Sequence, residues 1–345
     1  MRLVTVEHAV PSRAISNEAV REALQRNNRD RFSAEELALM DRRVGHLFEA
    51  AGTRVRYRLN AGEKAIDFAL DAGRQALGSA GVSPADVDFL IWAGVGRGWT
   101  EPSMASVVQW QLGLVNATCF DVVDACASWL RALQIAHAFI RSGTYRRGMI
   151  VNCECGFVMY DDWTLQRLED LDHRAAAWTI GEAATAAIVD DQNADDDFYF
   201  VFRNYGEDFG LCVFPIATFE NFWVGAPDPR YVPMRLFVLS SELLTATARR
   251  LIEVFSLDPR LRDTAHDIGF GHEASVKVNR IIAGKLGLAY DRYVSTHAEF
   301  GNTVSATVPL GMSLALRDGR LKRGDRTLVM VGASGVTVGV AAFTF

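Results

Sequence analysis

The segment RDGRLKRGDRTLVMVG at residues 317–332 repeats, without a gap, the pattern of RSGTYRRGMIVNCECG at residues 141–156. In both segments a helical pattern leads into a glycine turn, and a run of apolar residues typical of a buried strand follows. Five positions recur 176 residues later: Arg141, Gly143, Arg147, Gly148 and Gly156 return as Arg317, Gly319, Arg323, Gly324 and Gly332. The repeat predicts that a strand, helix and strand unit is duplicated within the chain.

Strand-like and helical patterns alternate along the rest of the chain, which is typical of an α/β protein with covered sheets. Apolar runs at residues 87–95, 119–125 and 149–155 predict strands, and a largely apolar helix is predicted between the second and the third. We therefore predict two similar halves, residues 1–191 and 192–345, related by a pseudo-twofold axis.

The charge and hydropathy of the chain argue against several classes of protein. Of its 345 residues 49% are hydrophobic, and its formal net charge is -6. An acidic chain is a poor ligand for nucleic acid, and no run of about 18 apolar residues predicts a membrane span. The N-terminal residues lack the apolar core of a secretory signal. We expect a cytoplasmic protein with neither nucleic acid nor a membrane as partner.

The five cysteines predict neither a disulfide framework nor a metal site. The chain is long, and Cys153 and Cys155 lack a second cysteine or histidine pair at zinc-ligand spacing. We predict that these two lie on a buried strand. The sequence has no phosphate-binding loop and no complete dinucleotide fingerprint, so we expect no cofactor and no metal.

Cys126 lies where a strand pattern gives way to a helical one. There the free N–H groups and the positive end of the helix dipole favour a thiolate, although a small buried hydrophobe is the alternative. The offset of 176 residues carries Cys126 onto Asn302 in EFGNTVS. The repeat therefore predicts two equivalent corners facing one cleft, one with a thiol and the other with a carboxamide.

His272 ends the apolar strand pattern DIGFG and precedes another helical pattern. Such strand-to-helix corners are where α/β proteins place ligand chemistry. A lone histidine is usually structural, so this one gains weight only from its position between Cys126 and Asn302 in the chain.

These segments resemble the thiolase superfamily and, within it, the β-ketoacyl-ACP synthase III branch. Ala125 to Ser128 resembles the family phrase A-C-S/A-G, and Gly271 to Ser275 loosely resembles P-H-Q-A-N. Gly301 to Pro309 is similar to G-N-T-S-A-A-S-V-P. The resemblance runs from about residue 50 to the end, and the ordered set is more specific than any single phrase.

The resemblance implies the duplicated five-layer αβαβα thiolase-like fold and a two-step acyl transfer. Cys126 would take an acyl group from acyl-CoA or an acyl carrier protein as a thioester. A malonyl-type thioester would then lose carbon dioxide while His272 and Asn302 donate hydrogen bonds to the enolate oxygen. The backbone N–H groups of Cys126 and Ser334 would form the oxyanion hole. We also expect a homodimer.

Departures from the family phrases lead to further expectations. Glu273 and Ser275 stand where the family has Gln and Asn, and a carboxylate at 273 predicts a raised pKa for the His272 imidazole. Ser334 interrupts a glycine-rich turn, which predicts a narrower approach to the cysteine. Residues 156–180 and 195–240 share little with the family, and their aromatic side chains suit a substrate pocket, a core or a dimer contact. We expect a member of polyketide, fatty-acid or related specialised metabolism.

Three functions remain open from the sequence. They are a decarboxylating condensing enzyme, an acyltransferase that passes the acyl group to an alcohol, amine or carrier, and an inactive ketosynthase-like subunit of a heterodimer. Asn302 favours the condensing enzyme, because its carboxamide would be needed to stabilise an enolate. Arg249, Lys277 and Arg280 are candidates for docking an acyl carrier protein, and a solvated charged face is the alternative.

Overall fold

Two five-stranded sheets form the framework of the computed structural model, which describes residues 1–156, 162–192 and 197–345. The strands are β1 (Arg2–Ala9), β2 (Arg13–Ser16), β3 (Val55–Arg58), β4 (Phe89–Ala93), β5 (Thr118–Val122), β6 (Arg147–Glu154), β7 (Ala183–Asp190), β8 (Tyr199–Asn204), β9 (Cys212–Val213), β10 (Phe237–Val238), β11 (Ile268–Gly271), β12 (Tyr293–Val294), β13 (Arg326–Ala333) and β14 (Thr337–Thr344). The helices are α1 (Asn17–Asn28), α2 (Ala34–Ala51), α3 (Ala65–Ala80), α4 (Met104–Gln111), α5 (Ser128–Arg141), α6 (Leu171–Arg174), α7 (Ser240–Leu257), α8 (Pro259–Arg262), α9 (Val276–Lys285), α10 (His297–Phe300) and α11 (Thr307–Arg317).

The two sheets have the same strand order and the same strand directions. The first runs β1, β7, β6, β4, β5 and the second runs β8, β14, β13, β11, β12. In each sheet the last three strands are parallel to one another. The second strand is antiparallel both to the first and to the third. The predicted duplication is therefore observed. The placing of the domain boundary at residue 191 stays a prediction.

Helices α5 and α11 lie between the two sheets. One apolar cluster joins Trp129 and Leu133 of α5 and Met312 of α11 to Ile150 of the first sheet and Val329 of the second. Helices α3 and α4 cover the outer face of the first sheet, and α7 and α9 cover that of the second. The predicted five-layer αβαβα arrangement follows, because the central helices bury apolar residues against a sheet on either side.

The spacing between equivalent corners differs from that of the sequence repeat. Helices α5 and α11 begin at Ser128 and Thr307, which are 179 positions apart (307 − 128). The left-handed residues just before them, Ala125 with a φ of 44° and Val304 with a φ of 52°, have the same separation. The residue equivalent to Cys126 is therefore Ser305, and the predicted equivalence of Cys126 with Asn302 is wrong.

The physical reason is a pair of compensating length changes. Helix α11 has 11 residues and α5 has 14, whereas the loop after α11 is three residues longer, because the following strands β6 and β13 are again 179 positions apart (326 − 147). The spacing of 176 holds only for the helix ends and the glycine turn between these two changes. An ungapped match anchored on those turn residues consequently misplaces the corner at the other end of the helix.

Helices α1 and α2 pack outside this framework. Their apolar faces meet Leu165, Leu171 and Trp178, so much of the described part of residues 156–180 is core rather than pocket. Helix α2 begins with a capping box of Ser33 and Glu36. Within the described ranges, no helix is long and apolar enough to cross a membrane.

Candidate active site

Cys126 occupies the tight corner between β5 and α5. Ala125 before it has a φ of 44°, a left-handed conformation that strains any residue other than glycine. The Ser128 hydroxyl accepts a hydrogen bond from the Asp124 N–H at 2.8 Å and donates to the Ala125 carbonyl at 2.7 Å, which closes the turn. Helix α5 begins two residues after Cys126, so the thiol lies beside its first turn, as predicted.

The surroundings of the Cys126 thiol act on its pKa in opposite directions. Burial raises the pKa above its usual value, and Cys212 and Glu154 add to this effect. The backbone N–H groups of Ser334 and of Cys126 itself oppose it, because each donates a hydrogen bond that favours the thiolate. The thiol is therefore protonated at neutral pH, and a reaction at sulfur needs an acceptor for that proton.

Ser334 lies in the strained turn between β13 and β14, where Gly335 and Val336 both have positive φ values, of 74° and 43°. Its N–H group faces Cys126, whereas its hydroxyl donates to the Cys212 carbonyl at 2.7 Å. The structure thus brings the two predicted amide donors to one sulfur atom. Their role as an oxyanion hole stays a prediction.

His272 follows β11, and its Nδ1 lies 3.0 Å from the Val304 carbonyl oxygen. A carbonyl oxygen only accepts, so Nδ1 carries the hydrogen and, in the neutral ring, Nε2 has a free lone pair. Burial lowers the pKa of His272 to about 4, although the hydrogen bond to Val304 opposes this shift. The imidazole is therefore neutral and presents an acceptor at Nε2.

The expected raising of the His272 pKa by Glu273 is wrong. The Glu273 carboxylate points to the start of α10, where Oε2 accepts hydrogen bonds from the backbone N–H groups of Thr296 at 2.7 Å and His297 at 2.9 Å. Burial of the ring dominates instead, and it lowers the pKa. Ser275, the other departure in this phrase, caps α9 and donates to the Ala50 carbonyl at 3.0 Å.

Asn302 has a fixed side-chain orientation. Its Oδ1 accepts the Val304 N–H at 2.9 Å, which leaves the Nδ2 amide group as the donor available to a substrate. Its backbone N–H donates to the Thr179 carbonyl at 2.8 Å. Gly301 before it has a φ of 70°, and a Cβ there would lie 2.4 Å from the Thr179 oxygen, so only glycine fits.

The three predicted catalytic residues lie around Val304 and the apolar cluster to which it belongs. Its carbonyl binds His272, its N–H binds Asn302, and its side chain belongs to the apolar cluster that also contacts Cys126. Cys126, His272, Asn302 and Ser334 are all partly exposed. A thiol, two amide donors, an imidazole and a carboxamide thus open onto one site, and this set can form and resolve a thioester.

Two residues of this region escaped the sequence analysis. Cys212, in β9, lies close enough to affect the Cys126 thiol, and burial raises its own pKa to about 11. Glu154 was passed over between Cys153 and Cys155. Both cysteines are buried; Cys153 lies on β6, as predicted, and Cys155 directly follows that strand. A lone carboxylate inside an apolar strand is costly unless it has partners, and that was the available signal.

The candidate docking residues lie on the outer helical layer. Arg249 on α7 and Lys277 and Arg280 on α9 are exposed, and the two helices pack together. The Arg280 guanidinium lies 4.7 Å from the centre of the Tyr290 ring. Carrier docking at these residues stays a prediction.

The five-layer fold and this corner define an acyltransferase of the condensing-enzyme class. The sequence model of the 3-oxoacyl-[acyl-carrier-protein] synthase III family matches residues 120–206, and the family model of its C-terminal part matches residues 261–345. A curated β-ketoacyl-[acyl-carrier-protein] synthase III from Sphingopyxis alaskensis is 30% identical over 320 residues, which cover 91% of this chain and 94% of that protein. The chain belongs to the 3-oxoacyl-[acyl-carrier-protein] synthase III family, which confirms the resemblance.

Other known proteins are similar over nearly the same length. The β-ketoacyl-[acyl-carrier-protein] synthase III of Rhizorhabdus wittichii is 27% identical over 308 residues, covering 87% of this chain and 90% of that protein. Crystal structures of Xanthomonas campestris OleA and of a Xanthomonas oryzae 3-oxoacyl-(acyl carrier protein) synthase III superpose with TM-scores of 0.82 and 0.79, at 23% and 22% identity. They cover 99% of this chain in both cases, and 97% and 98% of their own chains. These structures confirm the thiolase-like fold.

Proposed function

We propose that this protein forms a thioester at Cys126 and condenses the acyl group with the enolate of a malonyl-type thioester. The observation that carries the proposal is that His272 and Asn302 bind the backbone of Val304 and that Cys126 packs against the same apolar cluster, with the Asn302 amide group oriented as a free donor. The names of the curated relatives support acyl carrier protein as a carrier of substrate. One OleA structure holds lauroyl-CoA, which supports acyl-CoA as the class of acyl donor.

In the first step the Cys126 sulfur attacks the acyl carbonyl carbon. The thiol proton passes to the unprotonated Nε2 of His272, which is the acceptor that the neutral ring offers. The Cys126 and Ser334 N–H groups stabilise the developing oxyanion, and one such donor contributes about 10²- to 10³-fold to the rate. The tetrahedral intermediate collapses to the Cys126 thioester, and the coenzyme A or carrier thiolate leaves and takes a proton from water.

In the second step the malonyl-type thioester loses carbon dioxide and becomes an enolate. Asn302 donates to the enolate oxygen through Nδ2, and His272 donates through the Nε2 proton that it took from Cys126. The enolate carbon attacks the Cys126 thioester, a carbon–carbon bond forms, and the thiolate leaves. That thiolate recovers its proton from His272, so the cycle closes without a resident cofactor.

Intact mass spectrometry tests this sequence. After incubation with a panel of acyl-CoA thioesters, we expect one acyl mass on the wild-type protein and none on Cys126→Ala. Addition of malonyl-CoA should then remove the adduct and release carbon dioxide. Removal only by an added alcohol or amine would instead identify a non-condensing acyltransferase. Absence of any adduct, with no rapid iodoacetamide labelling of Cys126, would identify an inactive subunit.

Acyl selectivity is assigned to the segment that departs most from the family phrases. Phe214 and Leu236, from residues 195–240, pack against the same apolar cluster as Cys126. We assign to these two the wall of the acyl pocket and place the enzyme in specialised metabolism. Phe214→Ala should move the preferred acyl chain to a longer one in the same mass assay, and an unchanged preference would contradict this assignment.

Carrier docking is assigned to the exposed cations of α7 and α9. Arg249→Glu should slow acyl transfer from an acyl carrier protein several-fold while leaving transfer from coenzyme A unchanged, because only the acidic carrier needs that surface. Equal effects on both donors would contradict the assignment. Size-exclusion chromatography with light scattering tests the proposed homodimer.

A further inference from the structure

A buried carboxylate lies close to the reactive corner. Glu154, the last residue of β6, is 0% exposed. Its Oε2 accepts a hydrogen bond from the Gly96 N–H at 3.0 Å, and its Oε1 accepts from the Val95 N–H at 3.3 Å and from the Ser305 hydroxyl. Among the ion pairs of the described residues, none includes Glu154, so hydrogen bonds alone stabilise its charge.

The partners of Glu154 belong to the two segments that shape the site. Val95 packs against the same apolar cluster as Cys126. Ser305 directly follows Val304, whose carbonyl binds the His272 ring. If the Glu154 side chain moved, the segment of Val95 would therefore shift next to the Cys126 thiol, and the segment of Ser305 would shift next to the His272 imidazole.

The Ser305 hydroxyl has a defined direction. Asn152 Nδ2 donates a hydrogen bond to the Ser305 oxygen at 2.7 Å, and the same amide nitrogen donates to the Ala93 carbonyl. Because an amide nitrogen only donates, the hydroxyl hydrogen is free to point at Glu154. Asn152, Ser305 and Glu154 thus form one ordered chain of hydrogen bonds beneath the corner.

Glu154 and the Cys126 thiol are electrostatically linked. Burial raises the pKa of Glu154 to about 7, although the hydrogen bonds from Ser305, Val95 and Gly96 oppose this shift. The carboxylate in turn raises the pKa of Cys126. The titratable and charged side chains on the surrounding elements include Cys153 on β6, Cys155 directly after it, Glu182 before β7, and the Arg97 and Asp121 pair at 3.9 Å. Arg147 and Asp190 lie at the far ends of β6 and β7.

We propose that Glu154 is a positioning residue of the acyl-transfer site, which holds the segments of Val95 and Ser305 and thereby places Cys126 and His272. The inference rests on the proposed function, because it concerns the thiol that carries the acyl group. Glu154 changes its charge near neutral pH, so it also sets how the reactivity of Cys126 depends on pH.

The test is the pH profile of Cys126 alkylation by iodoacetamide between about pH 6 and pH 9, with the labelled peptide identified by mass spectrometry. Ionised Glu154 disfavours the thiolate, so the wild-type profile should flatten near pH 7. Glu154→Gln should remove that inflection, reacting roughly three- to fivefold faster than wild type at pH 8 and at the same rate at pH 6. Ser305→Ala should move the inflection to higher pH, because it removes a hydrogen bond that favours the carboxylate.

Ser313→Ala is the matched control. Ser313 is as buried as Ser305 and lies on α11, the helix that directly follows the turn containing Ser305, but its hydroxyl pairs with His8 at 2.8 Å. Its profile should coincide with that of the wild type. The proposal is overturned if Glu154→Gln and Ser305→Ala both keep the wild-type pH profile. It is also overturned if the alkylation rate falls in both variants by the same factor at every pH. If Glu154→Gln fails to fold, Ser305→Ala decides alone.

Alkylation separates this inference from the proposed function. A shifted profile without any acyl adduct would retain Glu154 as the positioning residue of a reactive thiol and reject thioester formation. An acyl adduct with unshifted profiles would retain the thioester and reject the role of Glu154.

Discussion

The two halves of the molecule contain the same strained corner, and each uses it differently. In the first half Ala125, with a φ of 44°, precedes a partly exposed Cys126 that faces two backbone amides. In the second half Val304, with a φ of 52°, precedes Ser305, which is 2% exposed and bonded to Glu154. The two halves therefore hold equivalent backbone positions, one with a partly exposed thiol and the other with a buried hydroxyl bonded to Glu154.

The largest difference in activity between variants of the two corners is expected when the Cys126 thiol is removed. Cys126→Ala eliminates the nucleophile, so we expect acyl transfer to fall at least ~10³-fold. Ser305→Ala should still form the acyl adduct, because the Ser305 hydroxyl binds the buried Glu154 carboxylate and not the acyl group. Intact mass spectrometry measures both. Comparable losses in the two variants would show that the corners do not differ in role.

Asn302 allows a test of the second step alone. Asn302→Asp keeps the Oδ1 that accepts the Val304 N–H and replaces the amide donor with an oxygen. We expect condensation with malonyl-CoA to fall about 10²- to 10³-fold while the Cys126 adduct still forms. Carbon dioxide release and the adduct mass measure the two steps separately. Condensation at the wild-type rate in this variant would exclude Asn302 as the enolate donor.

The sequence predicted the duplication and the five layers, and it singled out Cys126, His272 and Asn302, whose catalytic roles stay predictions. These features depend on glycine turns, apolar periodicity and short phrases, all of which are local in the chain. It did not predict which residues superpose, because the shorter α11 and the longer loop after it cancel in an ungapped match. It also missed Glu154, whose hydrogen-bond partner Ser305 lies 151 positions away in the chain.

The direction of the His272 pKa shift was wrong for a similar reason. Adjacency in the sequence suggested that Glu273 faces His272, but successive side chains leave the backbone in different directions. The carboxylate is held instead by the N–H groups of Thr296 and His297. Which neighbour a charged side chain contacts is a property of the folded chain.

A buried histidine at the start of α10, just before the second corner, should make the stability of the protein sensitive to acid. His297 is 0% exposed, with Nδ1 3.0 Å from the Glu273 carbonyl and Nε2 2.7 Å from the Thr53 hydroxyl, and burial lowers its pKa to about 4. The unfolded chain, with a histidine pKa near ~6.5, binds the proton more readily. The free energy of unfolding should therefore decrease as the pH falls from about 6.5 to about 4, by about 3 kcal/mol from this residue.

Urea denaturation at several pH values measures this dependence. His297→Gln should be less stable than the wild type at pH 7.5 and lose less stability on acidification, because it has no proton to bind. His46→Gln, at an exposed position of α2, is the matched substitution and should change stability at pH 7.5 by no more than about 0.5 kcal/mol. An unchanged acid dependence in His297→Gln would contradict the assignment.

The smallest expected effect concerns the strain in the first corner. Glycine adopts positive φ without steric cost, so Ala125→Gly should raise the free energy of unfolding by about 1 kcal/mol. The same substitution at Ala132, inside α5 and 0% exposed, should lower it by at least about 1 kcal/mol. Thermal denaturation compares the two variants. Ala125→Gly should also slow acylation several-fold, because a freer corner holds Cys126 less firmly between the two amides. If it instead destabilises the protein as Ala132→Gly does, the left-handed corner stores no strain, and its recurrence at Val304 needs another explanation.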